Sequence, residues 1–283
     1  MKEQSKNRSL VILAVVYLLA VVVGYYVFVG LQPVMHELWA LLLADVAATV
    51  IVWGFGSLFR NVSVYDPYWS VAPPLVFTAW VFYKNVFTLP VLLLLIAVWY
   101  WGIRLTCNWA YTFHGLSHED WRYTRYRKIQ APLLFELTNF FGLNMMPTLL
   151  VFLAMLPGFE LFEGAVIVNV IGLWTGFLMC LAAATIQLIA DTQIHRFRRN
   201  HPGQYCNVGL WRKGRHPNYF GEILMWWGVW VMYVSQGTLD WRIAGPIAIT
   251  TLFLFVSIPM MESRQRQNKL GYEEYRKRTR ILI

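Results

Sequence analysis

The chain has 283 residues, of which 58% are hydrophobic and only 14% are charged, and its mean hydropathy is +0.47. This balance excludes an ordinary soluble globular protein of the same length and indicates an integral membrane protein. The net charge of +9 does not predict a nucleic-acid partner, because its distribution follows a membrane topology. The three cysteines lack metal or disulfide spacing, and no metal site is predicted.

Apolar runs of about 20 residues, the length that crosses a bilayer core as a helix, recur along the chain. We therefore predict an all-α fold, a polytopic transmembrane helix bundle with about eight spans. The predicted spans are 9–30, 36–58, 70–88, 89–107, 134–157, 164–190, 219–236 and 243–261. The first run follows a basic patch and lacks a small-residue cleavage site, so we interpret it as a retained span.

The distribution of Lys and Arg predicts which side of the membrane each loop faces. With an even number of spans, 22 of the 24 cations fall on the side of the two termini, and only Lys84 and Arg242 fall opposite. Both termini are therefore predicted to be cytoplasmic. The long polar segments 108–131, 190–218 and 262–283 lie on that side as well, which predicts a cytoplasmic functional surface.

A polar stripe is predicted at the inner end of the fourth span. On a helix, Tyr100, Arg104 and Asn108 share one face because they are four residues apart. Arg104 could snorkel to the interface, or it could hold an anion in a wet cavity. Both interpretations remain open on the sequence.

The charged stretch 119–127 follows this span. Arg122, Tyr123 and Arg125 belong to a dense amphipathic pattern that is typical of an interfacial helix. A phosphate-binding role is an equal alternative for the same residues.

A second polar stripe ends the sixth span. Gln187, Asp191, His195 and Arg198 recur at helical spacing on an otherwise apolar helix, so they need a partner helix or a ligand. Asp191 at that depth is costly unless it is paired, and a structural Asp–Arg pair is the plainer alternative.

The stretch GLWRKGRHPNYFGE, residues 209–222, precedes another apolar run. Pro217 is typical of a first helical turn, and the start of that helix would present free N–H groups to an anion. Arg215, His216, Asn218 and Glu222 flank this start, and Gly221 would let a backbone or a flat ring approach closely. A ligand site is therefore predicted here.

Together with WGIRL, EDWRY and GYEEYRKRT elsewhere, this stretch resembles the DUF1295 branch of the steroid 5α-reductase superfamily. The likeness covers roughly 50–283. Members of the superfamily are integral membrane enzymes that reduce a C=C bond conjugated to a ketone, with NADPH as hydride donor. The resemblance implies an NADPH-dependent oxidoreductase for a steroid or lipid-like substrate.

The resemblance also implies cofactor-binding residues. Asn218 and Glu222 match the family's Asn-x-x-Gly-Glu, Asp191 and Arg198 match the preceding helix end, and Arg104 matches an arginine at the cofactor phosphates. The predicted cofactor-binding set is Arg104, Asn108, Arg122, Tyr123, Arg125, Gln187, Asp191, Arg198, Arg215, His216, Asn218, Tyr219 and Glu222.

The catalytic end departs from the family pattern. Where the family has a tyrosine before the arginine, this chain has Trp101, which cannot act as a phenolic proton donor, although Tyr100 adjoins it. The family glutamate of the early helix has no clear match; Asp66 is the nearest carboxylate and Asp45 the next. We predict Tyr100 and Asp66 as catalytic residues, although Asp66-Pro67 is also typical of a turn.

Two rival functions use the same features. Arg-His-Pro-x-Tyr-x-Gly at 215–221 also resembles membrane methyltransferases of the isoprenylcysteine carboxyl type, which bind S-adenosylmethionine. Arginines at 104, 122, 125 and 198 favour a cofactor rich in phosphate over that cationic one. A non-enzymatic lipid-binding membrane protein would explain the topology but not the polar stripes.

The predicted organisation is one membrane-embedded domain over 1–283, with peripheral spans at 1–50 and a cofactor-binding part at 97–283. Its predicted partners are NADPH, membrane lipids and a hydrophobic small molecule that enters from the bilayer. The predicted location is a bacterial inner membrane, with the cofactor site facing the cytoplasm.

Overall fold

A computed structural model describes residues 6–164 and 166–283. Within these ranges every regular element is a helix, and the one β-bridge is an isolated contact between Gly214 and Arg280. The α-helices are α1 (Lys6–Leu31), α2 (Glu37–Phe59), α3 (Tyr68–Lys84), α4 (Leu89–Thr112), α5 (Trp121–Ile129), α6 (Pro132–Leu137), α7 (Met146–Glu160), α8 (Val170–Asn200), α9 (Pro217–Val234), α10 (Ala244–Leu252), α11 (Ile258–Asn268) and α12 (Tyr272–Arg278). The all-α prediction is confirmed.

Shorter helical segments join several of these helices. Two π-helical segments, Thr138–Met145 and Phe253–Ser257, make α6–α7 and α10–α11 continuous. Three 3₁₀ turns also occur, at Val62–Val64, Gly209–Arg212 and Trp241–Ile243.

Six helices in the described parts of the chain are long and apolar enough to cross a membrane. They are Lys6–Leu31, Glu37–Phe59, Leu89–Thr112, Pro132–Glu160, Val170–Asn200 and Trp241–Asn268. The predicted spans 70–88 and 219–236 correspond to α3 and α9, which are 17 and 18 residues long. An integral membrane protein is therefore supported, whereas the count of eight spans stays a prediction.

The chain divides into two compact units. The first unit holds the residues through Pro73 together with Leu105–Phe152, and the second unit holds Pro74–Arg104 and Leu153–Ile283. The single domain predicted from the sequence stays a prediction, and each unit is described by itself.

The first unit buries an irregular stretch between α2 and α3. The segment 61–65 is almost fully buried, and the side-chain amide of Asn61 donates to the carbonyls of Leu116 and His118. Hydrocarbon cannot hydrogen-bond an exposed backbone, so such a stretch must lie inside protein. Here the apolar faces of α1 and α2 cover it; the core that they form with it is Leu13, Val16, Ala20, Ala48, Val52, Val64, Tyr65, Tyr68, Phe113 and Leu116.

The second unit is organised around the close pairing of α8 and α9. A Cβ atom added at Gly176 would lie 2.6 Å from the Gly228 carbonyl oxygen, and one at Gly221 would lie 2.7 Å from the Ala183 carbonyl oxygen. Small residues let two membrane helices approach backbone to backbone. The close approach predicted for Gly221 is therefore made by α8.

Candidate functional site

A buried ion pair joins the two predicted polar stripes of the second unit. The Arg104 guanidinium on α4 donates from Nη1 to Asp191 Oδ2 at 2.9 Å and from Nη2 to the side-chain oxygen of Gln187. All three side chains are buried. The pairing compensates the charge of Arg104, which would otherwise be costly to bury in a bilayer. Arg104 Nε has no hydrogen-bond partner among the described residues.

Glu222 is held by neutral donors. Its Oε2 accepts from the indole N–H of Trp101 at 2.9 Å and from the Gln187 amide at 2.7 Å, and its Oε1 accepts from Trp226 at 3.1 Å. The two indoles pack edge to face, with ring centroids 5.3 Å apart. Gln187 thus links Glu222 to Arg104, and the buried network reaches from α4 across α8 to α9.

The predicted catalytic tyrosine lies outside this network. Trp101 is fully buried against Glu222, whereas the hydroxyl of Tyr100, on the neighbouring face of α4, lies 3.2 Å from the Thr185 hydroxyl. The departure from the family pattern therefore has a local reason, because an indole N–H at position 101 satisfies the buried carboxylate.

Arg215 and His216 bind the C-terminal segment. Arg215 donates from Nε to Glu262 Oε1 at 2.7 Å and from Nη1 to the carbonyls of Arg276 and Thr279. His216 Nε2 lies 3.3 Å from the same Glu262 oxygen. The guanidinium of Arg215, which was predicted to bind a cofactor, is thus hydrogen-bonded within the protein. These contacts position the C-terminal segment.

The helix start at Pro217 is confirmed. Asn218 accepts from the amide of Tyr219 through Oδ1 at 3.1 Å, and its side chain also interacts with Asp191. The Tyr219 ring stacks on His216 with centroids 5.3 Å apart. Asn218 thus connects the start of α9 to the buried ion pair.

The end of α8 and the segment that leads to α9 are strongly cationic. Between Asp191 and Glu222 the sequence has six Lys or Arg residues and no carboxylate: Arg196, Arg198, Arg199, Arg212, Lys213 and Arg215. Arg198 is exposed, and its charge interacts with the nearby carboxylate of Asp191. The pKa of Lys269 is lowered, first by burial and then by the nearby charges of Arg198 and Arg264. Cations therefore outnumber carboxylates in this stretch, even though Arg215 pairs with Glu262.

The first unit contains a separate charged cluster. Tyr123 donates its hydroxyl to Asp66 Oδ1, and Arg122 Nη2 lies 3.7 Å from the same oxygen. Asp120 caps α5 and accepts from Arg122 Nε at 2.7 Å. Burial raises the pKa of Asp66 to about 6, although Arg122 and Tyr123 lower it.

Two further predicted residues also belong to the first unit. Asn108 lies on α4, where its carbonyl accepts from the Thr112 hydroxyl, and Arg125 is exposed on α5. The structure thus divides the predicted residues between two clusters. The second unit brings together Arg104, Gln187, Asp191, Asn218 and Glu222, and the first unit brings together Asp66, Arg122 and Tyr123.

Two residues central to these networks are absent from the predicted set. Trp226 lies one turn after Glu222, and this i, i+4 spacing is a signal in the sequence. Glu262 lies 46 and 47 residues from its partners His216 and Arg215, and no local spacing indicates that contact.

Comparison with known proteins gives one family and one relative. The family model described as "Protein of unknown function (DUF1295)" matches residues 52–279. The "Uncharacterized protein C594.04c" of Schizosaccharomyces pombe (strain 972) is 25% identical over 247 residues, which are 75% of this chain and 70% of that protein. No solved structure gives a significant match.

Proposed function

This chain belongs to the DUF1295 family, and on that premise we propose that it is a membrane oxidoreductase that uses NADPH. The proposed reaction reduces a C=C bond conjugated to a carbonyl in a steroid or lipid-like substrate. The resemblance of the 209–222 motif to the steroid 5α-reductase superfamily motivates the reaction class. NADPH would supply the hydride when it is bound.

One observation carries the choice of cofactor. Between Asp191 and Glu222 the sequence carries six cations and no carboxylate, and Arg215 among them pairs with Glu262. NADPH carries a diphosphate and a further 2′-phosphate, and several cations are needed to bind such a ligand. The exposed guanidinium of Arg198 fits this requirement. A cationic cofactor such as S-adenosylmethionine would be repelled by the same surface.

The buried network would position the cofactor's uncharged part. The Arg104 guanidinium is committed to Asp191 and Gln187, so we assign phosphate binding to the exposed cations and orientation to Arg104. Asn218, at the edge of that network, would offer its amide to the ligand. The apolar surroundings of Trp101 and Trp226 would exclude water from the hydride.

Cofactor binding can be tested on the full chain in detergent by thermal unfolding with NADPH, NADH or S-adenosylmethionine. A ligand at 100 times its Kd stabilises the folded state by about 2.7 kcal/mol. We expect NADPH to stabilise most, and NADH to stabilise less because it lacks the 2′-phosphate. Stabilisation by S-adenosylmethionine alone would replace the reductase by a methyltransferase, and no stabilisation by any of the three would favour a lipid-binding protein.

A matched pair of variants locates the site. Arg198→Gln should weaken NADPH binding about tenfold, the effect of losing one charge-assisted hydrogen bond. Arg278→Gln removes an equal charge from an exposed residue that pairs only with Glu274 in the described chain, and it should leave NADPH affinity unchanged. Equal effects of the two variants would mean that overall charge, and not a site at Arg198, attracts the cofactor.

A further inference from the structure

A short cationic helix in the first unit leads directly into a helix long and apolar enough to cross a membrane. α5 ends at Ile129, and the membrane-crossing helix begins at Pro132. Between residues 122 and 128, α5 carries three Arg and one Lys. Clusters of four or more cations beside a membrane helix are typical of sites that bind anionic lipid headgroups. The contacts of each cation decide which of the four are available to a ligand.

Two of these cations are paired within the protein. Arg122 donates from Nε to Asp120 Oδ1 at 2.7 Å and lies 3.7 Å from Asp66 Oδ1. Arg127 donates from Nη2 to Glu119 Oε1 at 2.9 Å. The carboxylates that precede and face α5 are therefore already occupied by these two arginines.

The other two cations of α5 have no such partner. Arg125 and Lys128 are exposed, and neither makes a hydrogen bond or an ion pair with another described residue. They are three residues apart, so they lie on the same face of the helix. The carboxylate of Glu136 on α6 accepts from the Ser57 hydroxyl and from the Asn139 amide, both at 3.2 Å. Two positive charges on α5 thus remain available to a ligand.

Packing holds α5 against the first turns of the membrane-crossing helix. The guanidinium of Arg127 lies over the ring of Phe135, 4.2 Å from its centroid. Phe135 also belongs to a buried cluster with Val62 and Tyr123, against which Tyr126 packs. Because α5 and α6 share this core, the cations of α5 are fixed beside the start of the membrane-crossing helix.

An exposed apolar surface continues from these cations along that helix. Leu133, Leu137 and Phe141 recur every four residues and are 75%, 47% and 59% exposed. Ile129, which is 68% exposed, lies between them and Lys128 in the chain. Exposed apolar surface of this kind marks a contact with a partner or with the membrane. A water-soluble anion would cover the cations and leave this apolar surface bare.

We propose that this surface binds an anionic phospholipid. The lipid phosphate accepts hydrogen bonds from the exposed cations, and an acyl chain lies along the apolar residues. A zwitterionic lipid such as phosphatidylcholine brings its own cation and no net charge, so charge complementarity selects a lipid with net negative charge. The lipid surface consists of Arg125, Lys128, Ile129, Leu133, Leu137 and Phe141.

This assignment goes beyond the proposed reaction and does not depend on it. Arg125 belongs to the predicted cofactor-binding set, and NADPH is a second source of phosphate groups. The exposed apolar residues beside the cations favour the lipid, because NADPH has no acyl chain to cover them. Lipid binding and cofactor binding can therefore be measured separately on the same variants.

Native mass spectrometry of the full chain in detergent tests lipid binding. Phosphatidylglycerol and phosphatidylcholine with identical acyl chains are titrated, and the Kd of the first bound lipid is measured for each. Each cation near the membrane surface contributes about fivefold in affinity, so phosphatidylglycerol should bind about 25-fold more tightly. The difference should shrink as salt is added. Equal affinities for the two lipids would overturn the proposal.

A matched pair of double variants locates the surface. Arg125→Gln/Lys128→Gln should lose the preference for phosphatidylglycerol. Lys277→Gln/Arg278→Gln makes the same change in net charge on α12, which is not part of a membrane-crossing helix, and should keep the preference. Retention of the preference in the first variant, or equal loss in both, would show that the lipid surface does not select the lipid.

Two further measurements keep the test independent of variant folding and of the cofactor. In the wild type, phosphatidylglycerol with a photoreactive acyl chain should label peptides within 129–141, and labelling confined to other peptides would overturn the proposal. Thermal stabilisation by NADPH should be the same in Arg125→Gln/Lys128→Gln as in the wild type. Loss of that stabilisation with unchanged lipid affinity would assign the two cations to the cofactor phosphates instead.

Discussion

The two units satisfy the carboxyl groups of Asp191 and Asp45 in opposite ways. In the second unit, Asp191 receives a guanidinium N–H from Arg104 at 2.9 Å. In the first unit, Asp45 receives only the hydroxyl of Tyr68 at 2.7 Å. A cation keeps a buried carboxylate charged and fixes the geometry of both partners, whereas a hydroxyl is compatible with a neutral acid that can exchange a proton. The contrast separates a carboxyl group held by a cation from one held by a hydroxyl group.

Two further carboxyl groups extend the comparison. Glu222 accepts hydrogen bonds from three N–H donors, and none of these donors is a cation. Gln187 connects Glu222 to Arg104. Asp66 lies 3.7 Å from a partly exposed Arg122, and its pKa is nevertheless raised to about 6 by burial. A cation at 3.7 Å therefore does not cancel the cost of burying this carboxylate.

The largest effect is expected from breaking the ion pair of the second unit. Arg104→Leu leaves Asp191 buried without its cation, and it should lower the free energy of unfolding by about 3–5 kcal/mol. The double variant Arg104→Leu/Asp191→Leu should recover most of this loss, because it removes both charges. Unfolding by titration with a denaturing detergent at pH 7 measures the free energy of unfolding of the wild type, of Arg104→Leu and of the double variant.

The first unit supplies the control for this prediction. Asp45→Asn keeps an oxygen that accepts from Tyr68 and removes no cation partner, so it should change the free energy of unfolding by less than about 1.5 kcal/mol. If Asp45→Asn and Arg104→Leu destabilise equally, the contrast between the two units is wrong.

An intermediate effect is expected from the pH dependence of Asp66. Its pKa is about 6 in the folded protein, above the ordinary value near 3.9, so the folded state holds the extra proton between these pH values. Stability from this group is present below pH 4 and is lost as pH rises through about 6, by up to about 3 kcal/mol.

Asp66→Asn removes this titration. From pH 4 to pH 7 the wild type should lose about 2 kcal/mol more unfolding free energy than Asp66→Asn, as measured by chemical unfolding at each pH. Parallel pH profiles would show that Arg122 and Tyr123 keep the carboxylate charged after all.

The smallest effect tests the packing difference between the units. A Cβ at Gly176 would meet the Gly228 carbonyl oxygen and the Met232 amide nitrogen at 2.6 Å, so Gly176→Ala should cost about 1–3 kcal/mol. A Cβ added at Gly54 on α2 would meet no atom within 4 Å, and Gly54→Ala should be neutral or stabilise by up to about 1 kcal/mol. Equal melting temperatures of the two variants would contradict the close α8–α9 contact.

The sequence by itself determined the all-helical membrane class, the start of α9 at Pro217 and the helical stripes at 100–108 and 187–198. These features follow from composition, proline chemistry and a period of 3.6 residues, all of which are local. The spacing also placed Gln187 and Asp191 on one buried face of α8.

Only the tertiary structure decided which partner each polar group has. Arg104 forms an ion pair with Asp191, Arg215 forms one with Glu262, and Asp45 accepts a hydrogen bond from Tyr68. Helical spacing fixes the face on which a side chain lies, but it carries no information about which distant helix covers that face. Exposed cations and buried cations look alike in the sequence, and burial against a carboxylate is what separates a structural arginine from one that is available to a ligand.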